Sequence, residues 1–318
     1  MQNEITFLIN TSEITAGTRG SSLGPGALFA AARKQGSTLF GDFPMIHVPE
    51  QNYLLDHPTR FPFAKRIDGL VNTFEAISSA VQQVFSENRF PFIIASDHGS
   101  AGGTIAGIKA QFPNKRLGVI WIDAHGDLHS PYTTPSGNMH GMPLSTALNE
   151  DNLPCKSNEL DSETITFWNA LKNCGGIVPK INPEDLCFVA VRDTESQEDA
   201  LIERLNIKNF SVAEVRNEGA DSIAERILEK LENCDLIYIS FDVDSMDPEL
   251  TSYGTGTPVA DGLTPDEAKN LMLRLLDSPK IACLEVVEIN PCLDDKINTM
   301  AETTFEIVKP IIQKIQSK

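Results

Sequence analysis

Short apolar runs alternate with longer stretches of helical period along most of this chain. The runs Ile5–Ile9, Pro91–Ala95, Leu117–Ile122, Leu186–Val191, Leu236–Ser240 and Ile281–Ile289 are almost continuously apolar, as strands buried on both faces are. Between them, Gly24–Lys34, Ile67–Phe85, Ala101–Gln111, Asp221–Asn233, Thr264–Leu276 and Ile297–Gln316 repeat apolar residues at helical spacing. The alternation predicts an α/β fold, a three-layer sandwich in which helices cover both faces of a mostly parallel sheet. One helix carries its own start signal: Thr264 as N-cap, Pro265 at the first helical position and Glu267 to complete a capping box. No Pro-, Gly- or Ser-rich stretch is long enough to be a linker, so residues 1–318 read as one domain. The regions Gly41–Lys65 and Asn149–Asn182 show neither period and are expected to be irregular insertions, either at a loop-bearing surface or against a neighbouring subunit.

Composition narrows the function classes. A net charge of −18 leaves no basic stripe for a nucleic acid or an anionic membrane, but suits a cationic small molecule. The N-terminal residues lack a basic segment before their short apolar run, so they read as a first strand and not as a signal peptide. No run approaches the ~20 apolar residues needed to cross a bilayer. Cys155, Cys174, Cys187, Cys234, Cys283 and Cys292 show no C-x-x-C spacing, which predicts reduced, mostly structural thiols and a cytoplasmic location.

The candidate chemistry sits where the apolar runs stop. Asp123-Ala-His125-Gly-Asp127 follows Leu117–Ile122, Asp242-Val-Asp244 comes after Leu236–Ser240, and Asp97-His98 closes the run Pro91–Ala95. Residues at i, i+2 and i+4 of an extended segment share a face, and open α/β sheets place ligands at strand C-termini. A lone D-x-D would be read as a turn or a helix cap. Three such segments together offer four carboxylates and two imidazoles, a donor set for two adjacent divalent cations of the Mn²⁺ type.

Six ordered segments carry a resemblance: Ser96-Asp-His-Gly-Ser100, Asp123-Ala-His-Gly-Asp127, Ser136-Gly-Asn-Met-His-Gly-Met-Pro143, Ser240-Phe-Asp-Val-Asp-Ser-Met-Asp-Pro248, Gly254-Thr-Gly-Thr-Pro258 and Glu288-Ile-Asn-Pro291. From Gly20 to Pro291 the chain resembles the ureohydrolases, the arginase and agmatinase superfamily, and the segment from Ser136 to Pro143 is arginase-like. The resemblance implies the arginase/deacetylase-like fold, two Mn²⁺ or other first-row divalent ions per chain, a small cationic guanidino substrate, and a homotrimer or homohexamer. It implies that His98, Asp123, Asp127 and Asp242 hold one metal and Asp123, His125, Asp242 and Asp244 the other, with Asp123 and Asp242 bridging. Such a site, loaded and with its nucleophilic hydroxide, is slightly anionic and welcomes a guanidinium, for which Glu288 is a planar partner. Asp127 is expected to aim the nucleophile and His140 to relay a proton to the leaving amine. Thr257 offers a hydroxyl beside the substrate. The plainer readings are a turn histidine for His140 and a tight turn for Gly254–Pro258.

Two departures concern the far end of the pocket. Where the family pattern is D-A-H-x-D-x-N, this chain has His129, and where it is R-D-x-D, this chain has Arg192-Asp-Thr-Glu195. Ser136 and Asn138 remain as donors for a substrate carboxylate. The expected reaction is L-arginine and water to L-ornithine and urea. Agmatinase, guanidinobutyrase, guanidine hydrolase and formimidoylglutamase activities are the alternatives of the same chemistry. A metal-dependent deacetylase of this fold would need tandem histidines that are lacking, and a metal-poor regulatory relative would have lost some of the six ligand positions.

Overall fold

The computed structural model describes residues 4–295 and 298–318. Among these, eight strands form one sheet: β1 (Ile5–Asn10), β2 (Met45–Val48), β3 (Phe90–Ala95), β4 (Leu117–Ile122), β5 (Leu186–Val189), β6 (Lys208–Phe210), β7 (Leu236–Asp242) and β8 (Ile281–Val287). Their order is β2-β1-β3-β8-β7-β4-β5-β6 and every pairing is parallel. Central strands β1, β3 and β4 are buried at every position, which is why they read as unbroken apolar runs.

The helices are α1 (Gly24–Lys34), α2 (Ile67–Ser86), α3 (Ala101–Gln111), α4 (Pro143–Leu148), α5 (Ser162–Asn173), α6 (Ser196–Leu205), α7 (Val212–Lys230), α8 (Pro265–Leu275) and α9 (Thr299–Gln316). Leu28, Ile227, Leu271, Phe305 and their neighbours from α1, α7, α8 and α9 pack on one face of the sheet. Ile77, Ile105 and Leu144 from α2, α3 and α4 pack on the other, so the three layers expected from the alternation are present.

Several boundaries differ from the sequence expectation for identifiable reasons. Edge strands β2 and β6 have only four and three residues, too short to show a period. The region Asn149–Asn182 is not irregular throughout: α5 lies within it, started by Asp161, whose carboxylate accepts the Thr164 N–H at 2.7 Å. Gly41–Lys65 likewise contains β2. Helix α7 begins nine residues before the expected Asp221, because Gly219, with φ 83° and ψ 161°, breaks its pattern into two halves. The expected start of the last helix at Ile297 lies outside the described residues.

The capping box at α8 forms as expected, with the Thr264 Oγ accepting the Glu267 N–H at 3.1 Å and a Glu267 oxygen accepting the Thr264 N–H at 2.8 Å. Thr264→Ala is therefore expected to cost about 1 kcal/mol of stability, read as a lower urea midpoint at unchanged slope.

Candidate metal centre

The strands β3, β8, β7 and β4 are adjacent in the sheet, and the loops that leave their C-terminal ends converge on one cavity of about 290 Å³. His98 comes from the turn after β3, Asp123, His125 and Asp127 from the loop after β4, Asp242 and Asp244 from the end of β7, and Glu288 from the residue after β8. Backbone ties hold these loops in place. Asp123 Oδ1 accepts the His125 N–H at 2.7 Å, Asp242 Oδ1 accepts the Asp244 N–H at 2.8 Å, and Asp244 Oδ1 accepts the Ala124 N–H at 3.2 Å. Arg192 clamps the far wall, donating to the carbonyls of Ala190, Asp244, Ser245, Val259 and Ala260.

Two clusters of donor atoms result. His98 Nδ1 is buried and makes no hydrogen bond, yet Asp123 Oδ2, Asp242 Oδ2 and Asp127 Oδ2 lie 3.0, 3.1 and 3.2 Å away. Three acceptor oxygens converging on an orphaned nitrogen is the arrangement of ligands around a cation, not of donors paired with acceptors. His125 Nδ1 lies 3.4 Å from Asp123 Oδ1 and 3.1 Å from Asp244 Oδ2. His98, Asp123 and Asp127 in the first cluster, and Asp123, His125 and Asp244 in the second, each offer one ligand atom inside a 4.8 Å spread that could hold a metal ion, as do His129, Glu195 and Glu198 at the far end of the cavity. Asp123 faces both clusters with its two oxygens. Asp242 faces the His98 cluster with Oδ2, while its Oδ1 is turned to the Asp244 amide.

Electrostatics point the same way. Burial, then the charge of Asp123, pushes the Asp127 carboxyl well above its ordinary range; burial, then Asp244 and Asp123, does the same to Asp242. Burial opposes charge on His98, but Asp123 and Asp242 outweigh it and hold its pKa well above the ordinary value. So many buried carboxylates demand positive charge, which divalent cations supply.

Neighbouring groups orient the His98 imidazole. Its Nε2 lies 2.7 Å from Ser240 Oγ, and the Trp121 ring stacks on it at 3.9 Å and 3°. Trp121 Nε1 also donates to Asp123 Oδ2 at 2.9 Å. Neither residue was singled out by sequence reasoning, although Trp121 could have been found as the one indole in the strand preceding the ligands.

Glu288 is buried and sits at φ 68°, a left-handed backbone uncommon for a residue with a side chain and often seen where a site fixes a group. Its Oε1 accepts the His98 N–H at 2.8 Å and lies 3.8 Å from His140 Nδ1. Its Oε2 faces Gly256, where an added Cβ would stand 3.8 Å away. Thr257 donates to Asp244 Oδ2 at 3.2 Å.

The far end of the cavity departs from expectation. His129 lines the cavity but commits both ring nitrogens to the protein, Nδ1 to Thr133 Oγ1 at 3.1 Å and Nε2 to Glu195 Oε2 at 3.0 Å. It is thus an orienter of Glu195 and not a free donor for a substrate carboxylate. Glu198, missed by sequence reasoning, is buried between His129 and the Leu128 N–H, which it accepts at 3.0 Å; burial and Glu195 push its carboxyl up to about 8. Its signal was its place three residues after Glu195, the spacing of a helix start; its amide partner is indeed Glu195. Ser136 and Asn138 line the same end, with Ser136 Oγ accepting the Asn138 N–H at 3.1 Å.

The arginase family model matches residues 5–312. The chain belongs to the arginase family. It is 34% identical to the arginase of Bacillus subtilis over 250 residues, 79% of this chain and 78% of that one. It is 33% identical to the arginase of Brevibacillus brevis over 290 residues, 89% of both chains. The solved arginase of Bacillus caldovelox superposes with a TM-score of 0.80 at 29% identity, covering 100% of this chain and 99% of the other.

Proposed function

We propose that this protein is a manganese-dependent arginase that hydrolyses L-arginine to L-ornithine and urea. The observation that carries the reading is the cavity itself: it is lined by His98, His125 and four aspartates, with the buried Glu288 carboxylate beside them, in a member of the arginase family. His98, Asp123, Asp127 and Asp242 would hold one ion and His125, Asp123 and Asp244 the other, with Asp242 the second bridge. When bound, such a pair supplies the Lewis acidity that lets water lose a proton near neutral pH.

The chain's own residues do the rest. Glu288 binds the substrate guanidinium through Oε2 while His98 holds Oε1, so the carboxylate cannot swing away. Asp127 accepts a hydrogen bond from the attacking water and aims it. His140, half-buried and close to Glu288, delivers a proton to the departing amine, a poor leaving group until protonated. Glu195, locked by His129, meets the α-ammonium. Ser136 and Asn138 meet the α-carboxylate. Among the described residues no helix is long and apolar enough to cross a membrane, and the cysteines are free, which supports a cytoplasmic enzyme. A homotrimer or homohexamer is the assembly we propose for it.

The test is a panel of arginine, agmatine, guanidinobutyrate, guanidine and formiminoglutamate after Mn²⁺ loading, with urea and formamide both quantified. Arginine with urea and ornithine as products is expected; preference for any other member would replace the reading. Within that panel, Glu195→Gln should lower kcat/KM for arginine about ten- to a hundredfold relative to guanidinobutyrate, which has no α-amino group. An equal fall on both would remove Glu195 from the ammonium site.

A further inference from the structure

The segment before α2 reaches the mouth of the cavity. Lys65 donates its backbone N–H to the Gly137 carbonyl at 2.8 Å, and its Nζ donates to Asn138 Oδ1 at 3.1 Å. The docking is close: a Cβ on Gly137 would stand 2.0 Å from the Pro62 carbonyl oxygen. Phe61 and Ala64, both buried beside Met139, anchor the segment from below. The end of the 41–65 region therefore backs Asn138, which lines the cavity, without lining it itself.

The contact decides what Asn138 offers. An ammonium group only donates, so it must face the amide oxygen. With Oδ1 turned to Lys65, the other end of the amide is an NH₂ group with two donors, and Asn138 lines the cavity. Charge makes the contact more telling. Among the described residues no Lys or Arg lines the cavity, whereas Asp193, Glu195, Glu198 and Glu288 do, alongside the four aspartates. A substrate with an anionic head would face many carboxylates there, with Ser136 and Asn138 among the uncharged side chains. His129, at the position where a further donor was expected, is occupied by Thr133 and Glu195. Behind Asn138 stands the Lys65 ammonium.

We propose that Lys65 is a specificity-determining residue that selects substrates bearing an α-carboxylate. It orients the Asn138 amide so that its NH₂ group donates to that carboxylate, and it places a positive charge behind the amide. The inference rests on the arginine reading of the same site. It adds that an insertion outside the metal-bearing loops decides between arginine and its decarboxylated counterpart.

The experiment compares wild type, Lys65→Met and Lys65→Arg, each Mn²⁺-loaded, on arginine and on agmatine, which keeps the guanidinium and the amine but lacks the carboxylate. Lys65→Met should raise KM for arginine with little change in kcat, and lower the arginine-to-agmatine ratio of kcat/KM about tenfold. Lys65→Arg, which keeps a charged donor, should retain the ratio within about threefold. A thermal midpoint for each variant separates this from loosening of the loop, which would depress both substrates together. Equal loss on the two substrates, or an unchanged ratio in Lys65→Met, overturns the proposal while leaving the arginase reading in place. A wild-type enzyme inactive on arginine overturns both.

Discussion

Asp242→Ala is expected to leave fewer than two metal ions per chain and to lower urea production by more than about a hundredfold, since losing a group that merely supports a ligand already costs ten- to a hundredfold. The side chain has one oxygen 3.1 Å from His98 Nδ1 and the other on the Asp244 amide, so the substitution removes a ligand and frees a second one. The fold should survive. Burial, then the charges of Asp244 and Asp123, push the Asp242 pKa well above the ordinary range, so removing it relieves a desolvated, crowded carboxyl in the metal-free chain. Elemental analysis, a urea assay and thermal unfolding in EDTA check the three parts. Two metals per chain with near-normal turnover would show that Asp242 is no ligand.

Glu288→Gln should lower kcat/KM on every guanidino substrate by roughly two to three orders of magnitude, the cost of leaving a buried cation without its charged partner. The substitution is nearly isosteric, and a glutamine carbonyl can still accept the His98 N–H that Oε1 accepts at 2.8 Å, so metal content and stability should change little. Its signature is indifference to the far end of the substrate. Arginine, agmatine and guanidinobutyrate should suffer alike, in contrast to Glu195→Gln and Lys65→Met, each of which discriminates among them. A loss below about threefold on all three would place the guanidinium elsewhere in the cavity.

The amino-acid sequence by itself determined the layers of this protein and where its candidate metal ligands gather. Buried parallel strands must be apolar along their whole length, so β1, β3, β4, β7 and β8 announced themselves, and the first polar residues after them had to fall at strand C-termini. That local rule is enough to gather His98, Asp123, His125, Asp127, Asp242 and Asp244 at one edge of the sheet, and it put Glu288 there too. The edge strands β2 and β6 escaped it because three or four half-exposed residues have no period, and α7 escaped because Gly219 interrupts its face.

The substrate end was decided by tertiary contacts. His129 looked like a donor in its own segment, but packing sets its two nitrogens against Thr133 and, 66 residues away, Glu195. The orientation of Asn138 is set by Lys65, 73 residues earlier in the chain. Trp121 and Ser240 bracket the His98 ring only because β4 and β7 are neighbours in the sheet and His98 folds over them. A ligand's identity is a property of its own residue and the strand it ends, which a sequence displays. Where a hydrogen-bonding side chain points, and whether it is free for a substrate, depends on partners brought close by folding, and no local pattern records them.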